Sequence, residues 1–200
     1  MDARELFLQS DAALRSVIDR LTPADLEHPV PPEWSSGHRA AAQTVRDIVA
    51  RHAYDEAWVP DVLAGRTVDE VGERWSGDLI GDDPIAAYDR FNDAATTAMT
   101  DPALDTGMTV HFSYGDYPFE EGILHTVSYR AFQAWQIANL LGMDFHYSPE
   151  LIAGLNELLL PTVPGLRAFG VFPPEQTPPA GADDETKLLC AVGFWAPKAA

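Results

Sequence analysis

His52 and Glu56 are the residues of this chain best placed by type and spacing to do chemistry. They stand four apart on the same angular position as Val45, Ile48, Val49, Val59 and Leu63, the apolar stripe of one helical segment. An ionisable pair in the middle of such a stripe is costly to bury unless it is matched or used. A histidine followed one turn later by a carboxylate can share a metal ion or form a charge-assisted hydrogen bond. The plainer reading is a core histidine whose polar atoms are satisfied by its neighbours.

A second set lies in HTVSYRAFQAWQIANLLG, residues 125 to 142, which carries no formal charge apart from Arg130 in a chain of net charge −18. His125, Gln133, Gln136 and Asn139 make it too polar for a membrane span. Plotted as a helix it separates two faces. Leu124, Val127, Ala131, Ala134, Ala138 and Leu141 form a stripe with small residues at its middle, suited to close contact with another helix. Opposite them, His125, Tyr129, Phe132, Gln133, Gln136 and Leu140 form an aromatic and polar but uncharged stripe. Such a face fits the lining of a small-molecule pocket, with His125, Phe132, Gln133 and Gln136 as ligand contacts. The alternatives are a surface face, or core polar groups that bond one another.

The elements that must position these residues are mostly helical. A first helix is expected from about Asp2 to Leu21, with Leu6, Leu14, Val17, Ile18 and Leu21 inward. LTPADLEHPVPPEWSSG can only be loop or short turns. A long helix spanning roughly His38 to Leu63 carries His52 and Glu56, and Pro60 is expected to kink it and widen the space beside it. GDDP at 81 to 84 is a capped helix start, an Asp followed by Pro84, and that helix should reach about Met99. Residues 107 to 118 alternate polar and β-prone types around a Gly115-Asp116 turn, as a short extended segment or hairpin does. Ser148 and Pro149 open a helix ending near Pro161, and a Pro-rich excursion then leads to one short apolar helix. The chain reads as one all-α domain over residues 1–200, with the uncharged helix at its centre and wrapped by the others.

Composition excludes several functions. Against 31 acidic residues there are 13 Lys and Arg and no basic run, so the chain repels nucleic acid and anionic membranes. A single cysteine, Cys190, rules out an intramolecular disulfide and a multi-cysteine zinc site; lying in LLCAVG, it reads as a packed, inert thiol. The amphipathic N-terminal segment lacks the apolar core of a signal peptide, and a cytoplasmic location is the expectation.

VRDIVARHAYDEAWVPDVLAGRT, GDDPIAAYDRF, HFSYGDYPFEE, AFQAWQIANLLG and LLCAVGFWAP follow one another in an order and spacing that resembles the DinB-like superfamily. The similar group is the actinobacterial one related to mycothiol-dependent maleylpyruvate isomerase, and the resemblance runs from about residue 5 to 197. It implies an up-and-down four-helix bundle with a divalent metal held near its middle by three side chains. His52 matches the histidine late in the second helix. The other two ligands, an acid and a histidine four residues apart, fall on Tyr129 and Gln133, and an Asp and an Arg that follow fall on Gln136 and Asn139. A phenol is mostly protonated near neutral pH, and an amide oxygen is a poor substitute for imidazole toward zinc or nickel. With only His52 kept, the metal site is expected to be weak or absent. Glu121 and His125 repeat the acid-and-histidine spacing two turns earlier, a relocated alternative.

Three functions follow from these readings. One is a metal-independent enzyme of isomerase type, with His52 as acid or base, Glu56 orienting it, and Tyr129 donating a proton or hydrogen bond. A second is a binding protein for a small organic molecule, without catalysis. The third is a metal-dependent thiol transferase with replaced ligands, for which the resemblance implies mycothiol as the thiol. In each case the partner is a small molecule, and a homodimer is compatible with such a bundle.

Overall fold

The computed structural model describes residues 1–34 and 42–197, and these are mostly helical, with one two-stranded sheet among them. Four helices are long: α1 (Ala3–Ile18), α3 (Val45–Leu63), α5 (Pro84–Thr100) and α6 (Phe119–Leu140). Two one-turn helices, α2 (Pro23–Leu26) and α4 (Val68–Val71), lie in the connections. After α6 come α7 (Pro149–Gly154), α8 (Val163–Ala168) and α9 (Asp184–Val192). No helix among the described residues is long and apolar enough to cross a membrane.

Caps set most helix starts. The side chains of Asp2, Thr44, Asp83, Ser148 and Asp183 each accept a hydrogen bond from a backbone N–H in the first turn of the following helix. Thr44 and Asp47 form a reciprocal capping box, which is why α3 begins at Val45. The expected start near His38 is therefore too early; Ala42 to Thr44 are not helical, and residues 38–41 lie outside the described residues. α3 runs through Pro60 without interruption, so the expected kink is not a break in the element.

The hairpin pairs β1 (Thr109–Phe112) with β2 (Gly115–Pro118), Phe112 opposite Gly115. Its two-residue loop is Ser113-Tyr114, so the expected Gly115-Asp116 turn belongs to β2 instead. The hairpin lies close on the first turns of α6: a β-carbon at Gly122 would collide with the Val110 side chain. Beyond Gly154 the chain continues through a π turn (Leu155–Leu159) and a 3₁₀ turn (Leu160–Thr162) before α8, where a regular helix to Pro161 was expected.

Close backbone contact joins α1 to α6, α3 to α5, and α1 to α5. The small stripe of α6 is what lets α1 approach: Val127, Ala131, Ala134 and Ala138 are all buried. Two apolar clusters fill the space between the long helices, and each draws residues from all four. The first helix ends at Ile18 rather than Leu21, yet Leu21 and the four inward residues of α1 are buried, as are the five on α3. Cys190 is fully buried in α9, and burial pushes its thiol pKa up, as an inert packed cysteine requires.

Candidate functional site

α3 and α6 face each other across two cavities that share Asp55 and Tyr129 in their walls. The amide cavity, about 650 Å³, is bounded on α3 by Ile48, Arg51 and His52 and on α6 by Tyr129, Phe132, Gln133, Gln136, Asn139 and Leu140. Gln133 Nε2 donates to Gln136 Oε1 at 3.2 Å, so each amide fixes the other's orientation. Phe132, Phe172 and Phe194 meet at centroid distances of 5.6 to 6.0 Å and close its far side. His52 is 2% exposed and stacks on Tyr129, ring centroids 5.3 Å apart. An imidazole, a phenol and two amides thus line one compartment of the size small ligands occupy.

The hairpin cavity, about 610 Å³, lies on the other side of Tyr129, beneath the Ser113-Tyr114 loop. Its walls are mainly aromatic and aliphatic, with Arg130 among them.

Arg130 belongs to a buried ionic cluster that the sequence reading left out. Its Nε and Nη2 reach Glu56 Oε1 at 2.9 and 2.8 Å, and its Nη1 donates to the Thr126 carbonyl at 2.9 Å. Its guanidinium carbon lies 4.6 Å from the centroid of the Phe7 ring. Asp11 of α1 completes the cluster, with Oδ1 3.5 Å from Arg130 Nε. Asp11 Oδ2 accepts from Asn92 Nδ2 at 2.8 Å and from Thr96 at 3.4 Å. Every long helix contributes a member, and Asp11, Glu56 and Arg130 are at most 1% exposed.

Two carboxyls against one guanidinium leave an excess negative charge in the core unless one carboxyl keeps its proton. Glu56 Oε2 and Asp11 Oδ1 have no hydrogen-bond partner among the described residues, and the charge of each carboxyl bears on the protonation of the other. Burial pushes Glu56 up to about 8, with Arg130 opposing and the Asp11 charge assisting. Burial also raises Asp11, opposed by Arg130. The Glu56–Asp11 pair therefore retains one proton, and its remaining negative charge is the partner of Arg130.

This changes the expected site. His52, Tyr129, Phe132, Gln133 and Gln136 meet in the amide cavity, as the faces of the two helices predict. Glu56 does not join them. It lines neither cavity, and Arg130 holds it at the centre of the four helices, so it does not orient His52. The cause is rotational: residues four apart on a helix are offset by about 40°, enough for Arg130 to capture the carboxylate. His125 is also elsewhere, packed edge-on against Tyr117 at 4.6 Å under the hairpin, and burial lowers its pKa while Glu121 opposes the shift. Arg130 was visible as the sole charge of its segment, but its partner Asp11 carried no signal in a helix whose surface is rich in acids.

Besides the His52 imidazole, the walls of the amide cavity offer a divalent ion one carboxylate, Asp55, one phenol and the carboxamides of Gln133, Gln136 and Asn139. One imidazole and one carboxylate fall short of the three or four such ligands that zinc or nickel sites use. No group of three or more His, Cys, Asp and Glu side chains close enough to share an ion occurs among the described residues.

No family model matches the chain, and no curated protein or solved structure matches it.

Proposed function

We propose that the chain is a DinB-like four-helix-bundle protein that binds a small, uncharged organic molecule in the amide cavity. The carrying observation is that His52, Tyr129, Phe132, Gln133 and Gln136 line one compartment of about 650 Å³. Both cluster membership across the four long helices and the sequence resemblance support the bundle. The paired amides offer a donor and an acceptor to a carbonyl or hydroxyl, and the phenylalanine wall takes a ring or alkyl body. Among the described residues the family's metal finds no third His, Cys, Asp or Glu beside His52 and Asp55.

The test is a thermal-shift screen of neutral ring compounds carrying carbonyl or hydroxyl groups. Compounds that raise the melting temperature of the wild type should lose that effect in Gln133→Leu and His52→Ala. Hits that these variants leave untouched, or a screen without hits, would sink the reading.

The stacked His52–Tyr129 pair favours a second reading, proton transfer to and from the bound molecule, as isomerisation requires. Deuterium from solvent should then appear in a bound compound that has an acidic C–H, and His52→Gln should stop the exchange while binding persists. Exchange at the uncatalysed rate would leave binding alone.

A further inference from the structure

We propose that the hairpin cavity is a second ligand site, separate from the amide cavity, for an uncharged aromatic molecule of about two or three rings. Aromatic rings converge on it from several directions: Phe7 from α1, Tyr54 and Trp58 from α3, Phe112 and Tyr114 from the hairpin, and Tyr129 from α6. Flat ligands gain most where ring faces and edges surround them.

The charges in its walls, Arg130 against Asp55, are of both signs and argue for a neutral guest. Arg130 is already held by Glu56 and Asp11. His111 Nδ1 lies 2.7 Å from Asp116 Oδ1. An anion would have to compete with two buried carboxyls for the guanidinium, and a cation would meet that guanidinium directly.

The rim supplies an observation independent of the cavity's volume. Tyr114 is 58% exposed and Tyr54 36%, and they are among the few large hydrophobic side chains so exposed on the described surface. Both border this cavity. Tyr114 lies parallel on Phe112 with centroids 5.2 Å apart, which holds an otherwise solvent-facing ring over the opening. Exposed aromatics gathered at one mouth mark where an apolar molecule enters.

The probe is N-phenyl-1-naphthylamine, an uncharged aryl amine whose fluorescence rises in apolar surroundings, titrated into the full chain. Thr126→Trp should fill the hairpin cavity and weaken binding by about tenfold or more, whereas Gln133→Trp in the amide cavity should leave affinity unchanged. Tyr114→Ala, at the exposed hairpin loop, should weaken it by about three- to tenfold. Loss in Gln133→Trp alone would place the probe in the amide cavity and overturn this site while leaving the proposed function standing. Equal loss in both Trp variants would overturn the separation of the two sites. A wild type that gives no enhancement at about 100 μM probe, or a folded Thr126→Trp with unchanged affinity, would overturn the site itself. Should Thr126→Trp fail to show the wild-type circular dichroism, an unchanged affinity in Tyr114→Ala decides against it.

Discussion

Two sides of α6 handle burial of polar groups in opposite ways. Toward the centre of the four helices, Arg130 is fully buried and neutralised by Glu56 and Asp11, with Asn92 and Thr96 completing the contacts. Toward the amide cavity, Tyr129, next to Arg130 in the chain, and Gln133 and Gln136, about one and two turns on, are half-buried, uncharged, and bordered by empty volume. The first side spends its charge on Arg130 and locks the helices together. The second keeps hydrogen-bonding capacity for a molecule that is not part of the chain. A charge paired inside the core is structure; a polar face beside a cavity is where binding is to be sought.

Removing the central charge separates the two sides most sharply. Arg130→Leu leaves Asp11 and Glu56 buried without a counter-charge and should destabilise the fold by about 3–5 kcal/mol in chemical denaturation. Gln133→Leu, on the other side of the same helix, should stay within about 1 kcal/mol of wild type because its surroundings are already half open. Comparable losses for both would erase the distinction.

The helix contact behind these two sides is next. Ala131→Leu or Ala134→Leu should cost about 1–3 kcal/mol by forcing α1 away from α6. Wild-type melting of both variants would contradict the observed packing of the small stripe.

The pH dependence tests where the shared proton sits. Glu56 holds its proton more tightly folded than unfolded, so the folded state carries the extra proton between the ordinary value of 4.5 and the raised value of about 8. Stability should fall as pH rises through that window and level off above it, and raised Asp11 acts in the same direction. Glu56→Gln keeps an acceptor for Arg130 at every pH, so it should flatten the decline in melting temperature. An identical slope in the variant would place the titration in other groups.

The smallest structural change carries a gain of function. Tyr129→Glu with Gln133→His supplies a carboxylate and an imidazole beside His52, and should confer zinc binding measurable by calorimetry where the wild type has little. No gain in affinity would mean that these three positions do not converge on one point.

Much of this was legible in the chain. Caps at Asp83 and Ser148 announced helix starts, because a side-chain oxygen followed by proline satisfies a first turn locally. The two faces of α6 followed from periodicity, and most of the predicted pocket stripe does line one cavity. The His38 start failed because Thr44 and Asp47 cap the helix later, and the Gly115-Asp116 turn failed because pairing with β1 placed those residues in a strand.

The sequence by itself determined what depends on neighbours a few residues apart: helix content, the small stripe and the uncharged face. Only the tertiary structure decided which of two adjacent polar groups does which job. His52 and Glu56 share a stripe, but the angular step between them turns one toward a cavity and the other toward Arg130, seventy-four residues away in the chain. Asp11 looks like any acid on an acidic helix until α1 packs against α6. Long-range charge pairing has no periodicity to read, and it is what makes Glu56 a structural residue and leaves His52 and Tyr129 as the pair facing the space for a ligand.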